Sequence, residues 1–178
     1  MDLQSLLIHI NIALSVLYGP QTPEQKELWC LTENVLYESA GEAIEGQLAV
    51  IEVVNTRRDH RKYPNTYCKV IHEYKQFSWT LVEPEFRRKP TNKEIELAVQ
   101  LAYSYMQGKL PKTSVHGATH FINPDAADYI PEWYHTYEYL GKLGDHEFFR
   151  RPSSGERASI KKRKCKCKYH PNKPEKQL

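Results

Sequence analysis

The sequence predicts an α+β fold, mainly helical, with a small β-sheet in the C-terminal half. Three observations carry this prediction. Two capping boxes, Thr22-Pro23-Glu24-Gln25 and Thr91-Asn92-Lys93-Glu94, each open an apolar run with helical spacing. Short segments of extended character, ATHFIN (118–123) and HEFFR (146–150), occur only after residue 117. Long connections rich in Pro, Asn and Tyr separate the periodic stretches, and long loops in a compact domain tend to be functional.

The elements follow in order. Leu3, Leu7, Ile10, Leu14 and Leu17 form a helical stripe, so residues 1–21 are expected to be an apolar helix docked on the body. The run is about fifteen residues, short of the ~20 that a membrane span needs. Asp2 stands where a signal peptide carries basic residues, and a short signal-anchor is the alternative. The first capping box places Pro23 at the first helical position, and Leu28, Leu31 and Val35 continue the stripe towards Gly41. Ile44, Leu48, Ile51 and Val54 mark a second helix. Residues 63–79 read as a loop. The second capping box opens a helix with Ile95, Ala98, Val99, Ala102 and Met106, stopped near Gly108. The main domain is expected over 22–150, and 151–178 as a flexible basic tail.

A chain of 178 residues can bury a substantial core. Its twelve Tyr suit surfaces that stack on sugars or nucleobases. The overall charge of +3 is uneven: residues 150–178 hold 11 Lys/Arg against two acids, a net +9. That leaves 14 Lys/Arg and 20 acids in 1–149, a net −6. Such a tail attracts an anionic cell envelope or nucleic acid by charge alone, or serves as a solvated solubility tail. The envelope is the favoured reading, because no nucleic-acid module accompanies the lysines. The four Cys are too few and too scattered for a disulfide framework. Cys165 and Cys167, with His170 nearby, are half a metal site at most, so no metal is expected and these cysteines read as reduced thiols.

The stretch LYESAGEAIEGQ (36–47) concentrates the chemistry. Extending the stripe Leu28, Leu31, Val35 by one step reaches Glu38, and by another Glu42. A carboxyl on the core side of a helix, close to its C-terminal end, feels both desolvation and the negative end of the dipole. Both favour the protonated form, which a general acid requires. Two readings stay open on periodicity: this acid, or a solvated charge at a frayed helix end. Glu45 falls on the polar side of the next helix.

Beyond periodicity, YESAGEAIEGQLAVIEVVNTR (37–57) resembles the signature of the spore-cortex-lytic, SleB-type cell wall hydrolases. The matching positions are Glu38, Gly41, Glu42, Glu45, Gly46, Gln47, Ala49, Val50, Asn55 and Arg57. The blocks YPNTYCKVI (63–71), QFSW (76–79), GATHF (117–121) and GDHEFF (144–149) follow in the family's order. Ala40 stands where the family usually has Arg. With no separate peptidoglycan-binding domain evident, the chain is expected to be similar to single-domain bacteriophage members.

The resemblance implies a lysozyme/lytic-transglycosylase-like fold and cleavage of the β-1,4 bond between N-acetylmuramic acid and N-acetylglucosamine. It implies Glu38 as general acid and base of a lytic transglycosylase, without a cofactor. Glu42 is the candidate second carboxylate, which would make the enzyme a hydrolytic muramidase. Gln76, Phe77, Ser78 and Trp79 are expected to line the glycan cleft, with core packing as the plainer reading for Phe77 and Trp79. His120, Asn123 and Tyr129 are further candidates for binding substrate, and His146 for turn geometry. The rival class is a non-catalytic glycan-binding or virion-structural module. Peptidoglycan is the expected partner and the monomer the expected state. The expected site of action is the cell wall or periplasm after synthesis in the host cytoplasm, or a virion.

Overall fold

The computed structural model describes Gly19 and residues 22–153. The expected helix over 1–21, most of the basic tail, and Cys165, Cys167 and His170 lie outside the described residues. Helix α1 (Pro23–Glu38) starts at the Thr22 capping box, where Gln25 N–H donates to Thr22 Oγ1 and Thr22 N–H donates to Gln25 Oε1. It stops earlier than Gly41 suggested, at Ser39, whose N–H and hydroxyl both donate to Val35 O. Glu38 is thus the last helical residue and the end is not frayed.

Helix α2 (Ile44–Arg58) runs through the middle of the molecule. Every residue from Gly46 to Val54 is buried, so the helix has no solvent face over these turns. One departure from the expected stripe is Ile44, 58% exposed in the first turn. Ile51 and Val54 join Leu31 and Val35 of α1, Val70 and Ile71 of α3 (Tyr67–Ile71), and Ala98 and Ala102 of α4 (Asn92–Met106) in the larger core. Ala49 and Val53 face a second core with Val115, Ala118 and Phe148. Two 3₁₀ turns, Ser78–Leu81 and Pro84–Phe86, are the other helical pieces between α3 and α4.

The C-terminal half holds a three-stranded antiparallel sheet in the order β1 (His120–Ile122), β3 (His146–Arg150), β2 (Glu138–Leu143), with His120 opposite Phe149 and Leu143 opposite His146. A four-residue helix, α5 (Trp133–Thr136), precedes β2. Two of the three strands match the extended segments of the sequence. Strand β2 has no such cue, because Gly141 sits at a register shift and interrupts the alternation. Among the described residues no helix is long and apolar enough to cross a membrane.

The structure corrects the expectation for the cysteines. Cys30 of α1 and Cys68 of α3 are disulfide-bonded, with their Cα atoms 5.2 Å apart. The reading of too few and too scattered counted spacings along the chain, whereas the pairing is made by two helices packing side by side. Glu27, one turn before Cys30, accepts Tyr67 N–H at 2.5 Å and Cys68 N–H at 3.4 Å, so the same helix face holds α3 twice. A bridge across 38 residues removes unfolded-state freedom amounting to about 4 kcal/mol. We expect a Cys30→Ser/Cys68→Ser variant to lose about that much in urea unfolding, and reductant to lower the wild type to the same level. A reductant-insensitive midpoint would contradict the bridge.

Candidate active site

Where α1 ends and the chain turns towards α2, a groove of about 430 Å³ opens. Tyr37, Glu38, Gly41 and Glu42 line it from the turn, Arg88 and Glu94 from one side and Asp145 from another. Its size falls in the range of ordinary ligand sites. Arg88 donates through Nη2 to Leu36 O at 2.9 Å and through Nη1 to Glu94 at 3.0 Å. One cation therefore satisfies a terminal carbonyl of α1 and fixes the start of α4.

Glu38 is the chemically distinctive group here. Burial pushes its carboxyl up to about 7, against the opposing influence of the Arg57 guanidinium. A carboxylic acid that keeps its proton near neutrality can give it to a leaving group, and can take one back once ionised. This agrees with the stripe, which puts Glu38 on the side that carries Leu31 and Val35 into the core.

Glu42 belongs to a different arrangement. Its carboxylate accepts Asp145 N–H at 3.1 Å and lies 3.1 Å from His146 Nδ1. It fills the space beside Gly144, where an added Cβ would stand 1.5 Å from Glu42 Oε2. Gly144 also has φ +57, which side chains disfavour. The β2–β3 turn is thus built around Glu42, and His146, edge-on to Phe121 at 5.1 Å, closes it from behind. Burial pushes His146 down, with Glu42 pulling the other way.

The other expected site residues are not among those lining this groove. Phe77 and Trp79 are 2% and 6% exposed. The Trp79 ring stacks on Tyr37 at 4.8 Å, has Arg87 at 5.1 Å, and donates through Nε1 to Asn34 Oδ1, so the indole has no face left for a sugar. Core packing, the plainer reading, describes both. The aromatic ring that reaches the groove is Tyr37, which the sequence did not single out. Ser78 is exposed at the start of a 3₁₀ turn, and Gln76 is half-buried.

His120 sits between Trp133 and Tyr137, at 5.0 and 4.9 Å, with Nδ1 3.0 Å from Thr119 Oγ1. Burial, with Arg57 and Arg151 nearby, pushes it down to about 3, so it is neutral at physiological pH. Asn123 uses its side-chain oxygen to accept the N–H groups of Asp125 and Ala126, which makes it a turn residue. Tyr129 is 76% exposed.

Two buried groups on α2 were not anticipated. Glu52, 1% exposed, accepts Thr113 N–H and lies 3.2 Å from His116 Nδ1, tying the loop before β1 to the helix. Arg57, 5% exposed, donates through Nε to Thr119 O at 2.7 Å. Both occupy positions where helical spacing alone gives no warning of charge. Among the described residues no three His, Cys, Asp or Glu converge as a metal site.

The model of the family described as Cell Wall Hydrolase matches residues 41–149, starting three residues after Glu38. The spore cortex-lytic enzyme of Oceanobacillus iheyensis is 27% identical over 129 residues, which are 72% of this chain and 43% of that one. The spore cortex-lytic enzyme of Bacillus cereus is 28% identical over 129 residues, 72% and 46% of the two chains. The chain spans less than half the length of these relatives. Among solved structures, the catalytic domain of the germination-specific lytic transglycosylase SleB from Bacillus anthracis superposes with TM-score 0.58 at 26% identity, covering 74% of this chain and 99% of that one. The catalytic domain of the Bacillus cereus SleB protein shares the fold, with TM-score 0.55 at 24% identity over 74% and 94% of the two chains.

Two outcomes follow from the geometry. A group whose folded value is raised from 4.5 to about 7 costs no stability below the unfolded value, progressively more as pH rises from it, and the full amount above the folded value. Glu38→Gln should therefore gain on the wild type as pH rises from 4.5 to 7, by up to about 3 kcal/mol, in urea unfolding at matched pH. Gly144→Ala should lose about 1–3 kcal/mol of stability in the same assay. Adding Glu42→Ala should return part of that loss by removing the clash.

Proposed function

The chain belongs to the cell wall hydrolase family, and from that premise we propose that it is a peptidoglycan glycosidase acting as a lytic transglycosylase at the β-1,4 bond between N-acetylmuramic acid and N-acetylglucosamine. The observation that carries this reading is Glu38, a half-buried carboxyl that desolvation holds protonated near neutral pH on the wall of a ligand-sized groove. The Glu38 proton goes to the glycosidic oxygen as the C1–O bond breaks. The muramic C6 hydroxyl then bonds to C1, and the Glu38 carboxylate takes the hydroxyl proton. A 1,6-anhydro end forms and the acid is restored, with no water consumed.

The muramidase alternative needs a second carboxylate placed to activate water or attack C1. Glu42, its candidate, already accepts Asp145 N–H and pairs with His146. That engagement favours the single-carboxyl route. A glycan-binding module without catalysis has no use for a desolvated acid, whose desolvation costs stability increasingly as pH rises from 4.5 to about 7. The Cys30–Cys68 disulfide supports action outside the reducing cytoplasm, at the wall or in the periplasm.

Digestion of purified peptidoglycan, with product masses, tests the reading: anhydro ends are expected, and reducing ends would replace transglycosylation by hydrolysis. Glu38→Gln should lose about 10²–10⁴-fold in rate while staying folded. The step that uses the protonated acid fixes the sign of the pH dependence. The wild-type kcat/KM should fall as pH rises through about 7.

A further inference from the structure

Four residues with carboxyl side chains border the groove: Glu38, Glu42, Glu94 and Asp145. Two of these carboxyls are spent on the fold. Glu94 accepts Thr91 N–H at 2.7 Å and the Thr91 hydroxyl at 2.9 Å, and both its oxygens lie 3.0 Å from Arg88 Nη1. Glu42 accepts Asp145 N–H and pairs with His146. Among the described residues, the carboxyls of Glu38 and Asp145 accept no hydrogen bond. These two differ in setting. Glu38 is half-buried at the end of α1, where desolvation keeps its proton on near neutrality. Asp145 is exposed to water, which supports a carboxylate.

The β2–β3 turn is built so that Asp145 keeps its place on the groove. Gly144 and Asp145 are the two residues between the paired Leu143 and His146. The backbone N–H of Asp145, not its side chain, is what Glu42 holds, at 3.1 and 3.4 Å from the two carboxylate oxygens. Gly144 leaves room for that carboxylate, and His146 Nδ1 lies 3.1 Å from Glu42 Oε1. The residues on both sides of Asp145 therefore serve Glu42, and the Asp145 carboxylate is left to the groove. Arg88, the cation on the same groove, is tied to Glu94 and Leu36 O instead. An acid and an anion on one groove suit glycoside cleavage, in which a proton reaches the leaving oxygen while positive charge grows at C1.

We propose that Asp145 is a second catalytic residue of the groove, an anion that contacts the sugar and offsets the positive charge developing at C1 as the glycosidic bond breaks. This rests on the groove being the glycan site with Glu38 as its acid. It moves the second carboxylate from Glu42, the candidate of the sequence, to Asp145, and makes Glu42 the mount that holds it. Asp145 neither takes a proton nor bonds to C1. The proton circuit of Glu38 and the 1,6-anhydro product are therefore unchanged, and what Asp145 supplies is stabilisation that exists only while C1 is cationic.

The test is steady-state digestion of purified peptidoglycan by the full-length wild type, Asp145→Asn, Asp145→Glu and Glu38→Gln, with product masses. Asparagine keeps the side-chain size and the N–H that Glu42 holds, so Asp145→Asn should melt with the wild type. Its kcat should fall at least about tenfold with KM within about twofold, because the lost charge acts on the transition state. Asp145→Glu should recover part of the rate. Asp145→Asn as fast as the wild type, beside an inactive Glu38→Gln, would overturn this proposal and leave the functional reading intact. A loss confined to KM would reduce Asp145 to a binding group, and a lowered melting temperature without rescue by Asp145→Glu would make its role structural; either overturns the proposal. Reducing ends that vanish in Asp145→Asn would make Asp145 a base for water, which also overturns it. A wild type inactive on peptidoglycan would sink both readings.

Discussion

Helix α2 has no solvent face from Gly46 to Val54, and a helix enclosed on all sides must find a partner for every polar group it carries. Much of the molecule is arranged by that requirement. Glu52 is answered by Thr113 and His116, which pins the loop leading to β1. Arg57 is answered by Thr119 O, which fixes the start of the sheet relative to the helix. The two apolar cores form on opposite sides of the same helix, one against α1, α3 and α4, the other against Phe148 and the loop before β1.

The site then follows from opposition between two effects at one carboxyl. Desolvation alone would make Glu38 a reluctant anion, and Arg57 moderates this to about 7. A value near neutrality suits a group that must act in both protonation states. The neighbouring Glu42 shows how much the environment decides for a given side chain. Four residues away and also on the groove, it is spent on Asp145 N–H and His146, and its space is guaranteed by the missing Cβ of Gly144.

The segment between α2 and α4 contains little regular structure, yet it supplies the Tyr63 and Phe77 rings beside Arg57. Its order comes from a few ties: the Cys30–Cys68 bridge, Glu27 on the N–H groups of Tyr67 and Cys68, Tyr67 Oη on Asn55, and Trp79 on Asn34. Three of these four reach α1, the helix that ends in Glu38. The resemblance to the SleB catalytic domains accounts for the fold.

By itself the sequence determined what local rules determine: the two capped helices, the existence of α2 between them, two of the three strands, and Glu38 on the core-facing side of α1. Caps and apolar periodicity depend on residues three and four positions apart, so they can be read without knowing the fold. The tertiary structure decided everything that depends on distant partners. Cys30 meets Cys68 across 38 residues, and Glu42 meets Asp145 across 103. Phe77 and Trp79 have the composition of a sugar platform but are covered by Arg57, Tyr37 and Arg87, which no local pattern announces. Arg57 follows the same logic. A cation near a helix end ordinarily points to water, and only the packing of sheet and loop around α2 turns it inward, onto Thr119 O and between the Phe77 and Tyr63 rings.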